Sequence, residues 1–301
     1  MRKFACAILC VVLSTASTFA DGGGQDCSGS GDYHAIVIAC SEAIRARPYD
    51  TNALSHRGQA FLNNGDYDRA IADFAQIIKM IPQEAHAYHH RGLAHFNKRD
   101  YKQAIADHSE AIKRQPEPYF LDHRGRAYRL QGDYDRAIAD HNEAIRLAPT
   151  NDIYYAQRGY DHLAMKRYAA AIADITEAIR LDPTDDSHLA GRARMHQAMG
   201  DYGRAIADLT SALRLDASDA RHYTARTLAY LKARKVGHAY LDAQRALELL
   251  PGEPVLLETR ARVFEALHAR DRAIADYRRA LAGNPALTAS RSGLWRLRAG
   301  T

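Results

Sequence analysis

The stretch Gly132–Pro149, GDYDRAIADHNEAIRLAP, sets a pattern that the rest of the chain copies. It is one amphipathic helix with a Gly-Asp start and a proline stop. Related stretches begin at Gly65, Arg99, Lys166, Gly200, Arg234 and His268, spaced 34 residues apart with one slip to 33. A period of that size marks a solenoid, in which each unit buries what its neighbour would otherwise expose.

The first half of each unit supplies a second helix of about 14 residues, so the unit is a helical hairpin. Full units run 51–84, 85–117, 118–151, 152–185, 186–219, 220–253 and 254–287. A half unit with no first helix precedes them within 21–50, and 288–301 reads as a final helix with Leu294, Trp295 and Leu297 apolar among arginines. Gly65, Gly132 and Gly200 suit the left-handed position that ends a helix, and Asp66, Asp133 and Asp201 suit the cap that starts the next. Small residues (Ala70, Ala104, Ala137, Ala171, Ala205, Ala239, Ala273) stand where paired helices approach, opposite Gly58, Gly92, Gly125 and Gly159.

Residues 1–20 read as a secretory leader: Arg2 and Lys3, an apolar Phe4–Leu13, and the small-residue site Thr18-Phe19-Ala20. The apolar run is too short to span a membrane. Loss of Arg2 and Lys3 would take the net charge from +5 to +3, which is poor grounds for a nucleic-acid partner. Cys6 and Cys10 would leave with the leader, so Cys27 and Cys40 most simply form one disulfide in an exported chain. A free or metal-binding pair is the alternative. Periplasmic or secreted localisation is expected.

The pattern resembles the tetratricopeptide repeat family. Leu54, Gly58, Phe61, Ala70, Phe74 and Pro82 stand where that family keeps its signature residues, and the likeness runs over roughly Gly31–Pro285. It is similar to exported bacterial members in its leader and Cys-bounded half unit. The resemblance implies an all-α right-handed superhelix of antiparallel helix pairs, a concave face that holds a peptide or partner protein, and no enzymatic activity. The lysine–asparagine clamp of some members is missing, since Ser55, His56, Gln59 and His90 occupy its places.

One departure from the family is systematic. An arginine precedes the first-helix glycine position in every unit, and an aspartate follows it sixteen residues later: Arg57/Asp73, Arg91/Asp107, Arg124/Asp140, Arg158/Asp174, Arg192/Asp208, Arg226/Asp242 and Arg260/Asp276. Arginine and aspartate lie equally far before and after the turn, hence at one height in an antiparallel pair. A ladder of forked ion pairs is expected. Two separate solvated charges are the alternative, because equal height does not ensure a common face.

The chain has 15 histidines. His95, His162, His196, His108 and His141 stand where other units carry Tyr or Phe, and are expected to be core aromatics with one satisfied hydrogen bond. His56, His90 and His123 recur at one place in three first helices, with His86 and His89 a turn away. This cluster reads as polar groove lining, a pH-sensitive patch or a metal site. Tyr119, Arg126, Arg129, Tyr160, Arg194 and Arg262 continue the same face, diluted by Asp122, Glu258 and Glu265. No phosphate loop, nucleophile elbow, zinc-protease helix or calcium loop is present in the sequence, and no residue is assigned to catalysis, a cofactor or a metal. The expected function is a non-catalytic scaffold for a protein or peptide. The alternatives are a groove for an acidic polymer or envelope glycan, and a metal-dependent activity at the histidines.

Overall fold

The computed structural model describes Cys27 and Asp32–Leu297. The expected leader, the coil before Asp32 apart from Cys27, and residues 298–301 lie outside the described residues. Among the described residues there are sixteen helices and no strand. They fall into two compact units, Met1–Pro82 and Gln83–Thr301. In a linear array each repeat touches only its neighbours, so such a body can divide at a repeat boundary without loss of either part's core.

The first unit holds α1 (Tyr33–Ala46), α2 (Thr51–Asn63) and α3 (Tyr67–Met80), each packed on the next. Cys27 and Cys40 of α1 are joined as a disulfide with their Cα atoms 5.0 Å apart.

The second unit holds six helix pairs: α4/α5 (Ala85–Asn97, Tyr101–Arg114), α6/α7 (Pro118–Gln131, Tyr134–Leu147), α8/α9 (Asp152–Ala164, Tyr168–Leu181), α10/α11 (Asp186–Ala198, Tyr202–Leu215), α12/α13 (Ala220–Lys232, Val236–Leu249) and α14/α15 (Pro254–Ala266, Arg270–Gly283). The second helix of each pair packs on the first helix of the next, and α16 (Thr288–Arg296) closes the end against α15. The slip to 33 residues falls between α5 and α6, where Gln115–Glu117 is the whole connection. No described helix is long and apolar enough to cross a membrane.

Turn chemistry explains why each hairpin closes where it does. Gly65, Gly132 and Gly200 sit at φ of 81°, 85° and 79°, where a Cβ would crowd the following carbonyl. The next residue caps the second helix: the Arg136 N–H donates to Asp133 Oδ1 at 3.3 Å. Arg99, Lys166, Arg234 and His268 hold the same left-handed position with a side chain, at φ between 56° and 63°. Three of those four turns also lack a side-chain cap, at Arg167, Lys235 and Ala269.

The core is a set of matched volumes. All seven hairpin alanines are fully buried. Three of the four helix-one glycines meet aromatic rings as well, whereas a Cβ on Gly159 would lie closest to the Ala171 carbonyl, at 3.2 Å. A Cβ on Gly58 would come within 2.9 Å of the Phe74 ring, and one on Gly92 or Gly125 within 2.8 Å of His108 or His141. Where that ring is replaced by Leu209 or Ala243, the opposing residue grows to Ala193 or Thr227, which keeps the interior filled. At the closing helix, Leu294 is buried and Trp295 is 79% exposed, so Trp295 does not join Leu294 in covering the last pair. Glu258 and Glu265 serve α16 instead of an open face: Ser290 Oγ donates to Glu258 at 2.7 Å, and Arg296 Nη2 donates to Glu265 at 2.9 Å.

Candidate functional site on the first helices

The arginine–aspartate columns meet within every hairpin. In the second unit Arg124 Nε donates to Asp140 Oδ2 at 2.8 Å and Nη2 to Oδ1 at 2.7 Å. The same two-pronged contact joins Arg91 to Asp107, Arg158 to Asp174, Arg192 to Asp208, Arg226 to Asp242 and Arg260 to Asp276. In the first unit Arg57 grips Asp73 identically, at 2.9 and 2.7 Å. The carboxylates are buried to 4–8% exposure, so the forked geometry supplies the hydrogen bonds that water would otherwise give.

The spacing did not reveal a third bond. Nη1 of Arg124 donates to Ser109 on the preceding second helix, and Nη1 of Arg158, Arg192, Arg226 and Arg260 to Asn142, Thr176, Thr210 and Gln244. Arg57 reaches Ser41 of α1 in the same way. Each of these six guanidiniums therefore ties its own hairpin to the helix before it.

The residue four places after each arginine completes the arrangement. Where it is aromatic, the guanidinium lies over the ring: 5.8 Å for Phe61, 5.9 Å for Tyr128, 5.8 Å for Tyr230 and 5.6 Å for Phe264. Where it is histidine, Nε2 approaches the aspartate instead, at 3.9 Å for His95, 3.8 Å for His162 and 3.8 Å for His196. These distances exceed a hydrogen bond, which corrects the expectation of one satisfied bond for these three histidines. His108 departs further, since neither ring nitrogen has a hydrogen-bond partner.

Histidines of α4, α5 and α6 form one aromatic cluster. The His89 ring centre lies 5.2 Å from His108, 5.1 Å from His123 and 4.7 Å from Phe120, with Tyr119 edge-on at 5.1 Å. His89 is buried and so does not line a groove; His86 is exposed, and His90, Tyr119 and His123 are half-buried. His56, on α2 of the first unit, is half-buried. Burial and then the neighbouring imidazoles push His90 down to about 4, and burial with the His123 charge pushes His108 down to about 3. The cluster's nitrogens do not converge. Among the described residues, groups of three ligating atoms within 4.8 Å of one another occur elsewhere, around His188 and His222.

The arginines of the face separate into two roles. Arg129 is bound internally: Nη1 donates to Asp161 at 3.0 Å, and Nη2 to the Gln157 side chain at 2.7 Å. Asp161, fully buried, also meets His141 Nδ1 at 2.5 Å, while His141 Nε2 lies 3.5 Å from Asp122. Burial opposes the charged imidazole, and the Asp122 and Asp161 carboxylates outweigh it, holding His141 above the ordinary histidine value. Sequence reasoning passed over Asp161, although it is an acid in a column otherwise filled by Ala60, Ala94, Ala127, Met195, Ala229 and Val263.

Arg126, Tyr160 and Arg194 occupy one repeat position on α6, α8 and α10, 34 residues apart. With Leu130 and Leu163 they line an open hollow of about 510 Å³. Arg194 is exposed, and the Arg126 guanidinium lies 3.8 Å from Asp122 and over the Phe96 ring at 5.6 Å. Burial raises the Tyr160 hydroxyl against the pull of Arg194 and Arg129. Arg262, on α14, is exposed and outside this hollow.

Helix pairs stacked at this period place the molecule among the α-solenoid repeat proteins. A tetratricopeptide repeat model matches residues 39–85, 56–117 and 89–152, and a second such model matches 154–185. The fold resembles a tetratricopeptide repeat protein from Parabacteroides merdae, with 16% identity and a TM-score of 0.66 over 82% of this chain and 98% of that one. It also resembles yeast Tom70 (15% identity, TM-score 0.70, 89% of this chain and 58% of that one). A chain of the APC/C hetero-tetramer Cut9–Hcn1 is similar at 16% identity and a TM-score of 0.64, over 88% of this chain and 53% of that one. The chain thus spans about half the length of that Cut9–Hcn1 chain. No curated protein matches the sequence significantly. Residues 39–152 and 154–185 are thus tetratricopeptide repeats, and the chain is a tetratricopeptide repeat protein.

Proposed function

We propose that the protein is an exported, non-catalytic scaffold whose first-helix face holds an acidic peptide segment of a partner protein. The observation that carries this reading is the hollow between Arg126, Tyr160 and Arg194. Equivalent positions on three successive first helices supply two cations around one aromatic side chain, with apolar flanks. Guanidinium groups recognise carboxylates in a fork, and an aromatic anchor adds affinity at low entropic cost. The ladder arginines are consumed within the fold, so the hollow's arginines are the ones placed for a ligand. Family resemblance supports a protein partner, and the leader-like first 20 residues with the Cys27–Cys40 pair support export to the periplasm or medium.

An envelope glycan or other acidic polymer is the second reading, favoured by the same cationic lining. Fluorescence anisotropy with a labelled Asp/Glu-rich peptide containing one aromatic residue, and with an anionic glycan of similar charge, separates the two. The peptide reading requires saturable peptide binding that Arg126→Ser and Arg194→Ser each weaken and that persists in moderate salt. Binding of the glycan alone, falling steeply with ionic strength, overturns it.

A further inference from the structure

Two clusters away from the arginine hollow repeat one arrangement in successive hairpins of the second unit. His188, in the first turn of α10, places Nε2 2.7 Å from Asp152 Oδ2 and 3.6 Å from Asp185 Oδ2. His222, in the first turn of α12, meets Asp186 Oδ2 through Nε2 and lies 3.7 Å from Asp219 Oδ2. In each triad the three donor atoms lie within 4.8 Å of one another. We propose that each triad binds a divalent transition-metal ion, zinc being the ion whose ligand preferences it fits best.

Sequence columns set His188, His222, Asp152 and Asp186 apart from the other repeats. The histidine position is Ala53, Ala87, Phe120, Tyr154 and Leu256 in the other repeats, all apolar. Here it carries imidazoles exposed by only 4% and 6%. An acid at the first residue of helix one occurs as Asp152 and Asp186, each one repeat before a histidine, and at no other repeat start.

Geometry then argues for more than a hydrogen bond. A histidine–aspartate bond engages one carboxylate of each triad, and the second, Asp185 or Asp219, is the N-cap of the histidine's own helix. The N–H of Ser187 holds Asp185 Oδ1 at 2.8 Å, and the N–H of Arg221 holds Asp219 Oδ1 at 2.7 Å. Each of these carboxylates thereby keeps Oδ2 turned toward the imidazole. Bonds of about 2.0–2.1 Å to a tetrahedral ion put neighbouring ligands about 3.4 Å apart, close to the 3.6 and 3.7 Å separations. The shorter contact opens by rotation of Asp152 or Asp186, which sit half-exposed at helix starts. One neutral imidazole with two carboxylates leaves a coordination position for water and balances the ion's charge. Coordination through Nε2 leaves the imidazole neutral with its proton on Nδ1.

The two sites differ in charge. Arg221 grips Asp219, with Nη2 at 2.6 Å from Oδ2, and competes with a cation there. Asp182 and Asp216 interact alike with His188 and His222, so Arg221 is what distinguishes the two sites. The Asp152 site therefore binds more tightly than the Asp186 site.

Titration calorimetry of the full chain with zinc chloride at pH 7.5 tests this, in a His86→Ala background that removes the surface His86–His90 pair. Two ions per chain are expected. Asp152→Asn, which keeps a hydrogen-bonding side chain beside His188, weakens the tighter site by roughly tenfold or more, and Asp186→Asn does the same to the weaker. Arg221→Ala tightens the weaker site. The proposal is overturned by the absence of zinc binding, or by stoichiometry and affinity unchanged in the Asp152→Asn/Asp186→Asn double variant.

Discussion

His108 is a buried base with nothing to hold its proton, and acid should find it. Its ring packs against Gly92 as the Phe74 ring packs against Gly58, in an interior position with no exposure. The groups acting on it are the His89 and His123 rings at 5.2 and 5.8 Å, together with Asp122, Arg124 and Arg126. Burial, then repulsion from His123 and Arg124, brings it to about 3 from 6.5. Because the folded value is the lower one, the unfolded chain binds the proton more readily. Stability is thus undiminished above pH 6.5, falls as pH drops below 6.5, and stops falling below about 3. At pH 5.0 the unfolded state is favoured by a factor of about 30, or about 2 kcal/mol from this residue alone.

His108→Phe restores the side chain that the first unit uses and removes this penalty. Urea unfolding followed by circular dichroism at pH 7.5 and 5.0, with hydrogen exchange of α5 amides to locate the effect, measures it. The wild-type chain should lose about 2 kcal/mol more than the variant between the two pH values. Equal losses in both would refute the reasoning. His141 occupies the same place one repeat on and has the opposite sign. Its raised value adds stability below pH 6.5 that is lost as pH climbs through the folded value. His141→Phe should therefore destabilise, leaving Asp161 buried beside Arg129 alone.

Breaking the ladder at one rung should cost more than removing the rung. Arg124→Met and Asp140→Leu are each expected to lose about 3–5 kcal/mol, and the double variant much less than their sum; additive losses in a double-mutant cycle would end the argument. Replacing Lys166-Arg167 with Gly-Asp installs the turn of Gly132-Asp133 and should add about 1–2 kcal/mol to stability by relieving the left-handed side chain and supplying a cap, as read by thermal denaturation. Gly58→Ala forces a Cβ within 2.9 Å of the Phe74 ring and should cost about 1–3 kcal/mol in the same assay, where a neutral result would mean the ring slides freely. The proposed export predicts Asp21 at the mature N-terminus by mass spectrometry, and a chain that still starts at Met1 would contradict the leader.

The helices and the ladder were legible because repetition turns one sequence into seven readings of the same environment. Arg57 and Asp73 alone would be two charges; the column from Arg57 to Arg260, held in step with the column from Asp73 to Asp276, fixes a height at which the two helices can meet. What repetition conceals is the residue that departs from its column for a local reason. Asp161 replaces alanine or another apolar residue, and that anomaly turns Arg129 from a groove arginine into an internal tie. His89 lies on the helix expected to line the groove, yet the aromatic rings of Phe120, His108 and His123 close over it. Burial depends on which side chains the neighbouring hairpins bring, and spacing within one helix does not carry that information. His188 and His222 follow the same logic: each is unusual in its own column and acquires chemical meaning only from an aspartate one repeat away. In a repeat protein, then, the column average describes the fold, while its exceptions, taken together across adjacent repeats, are where chemistry specific to this chain is to be sought.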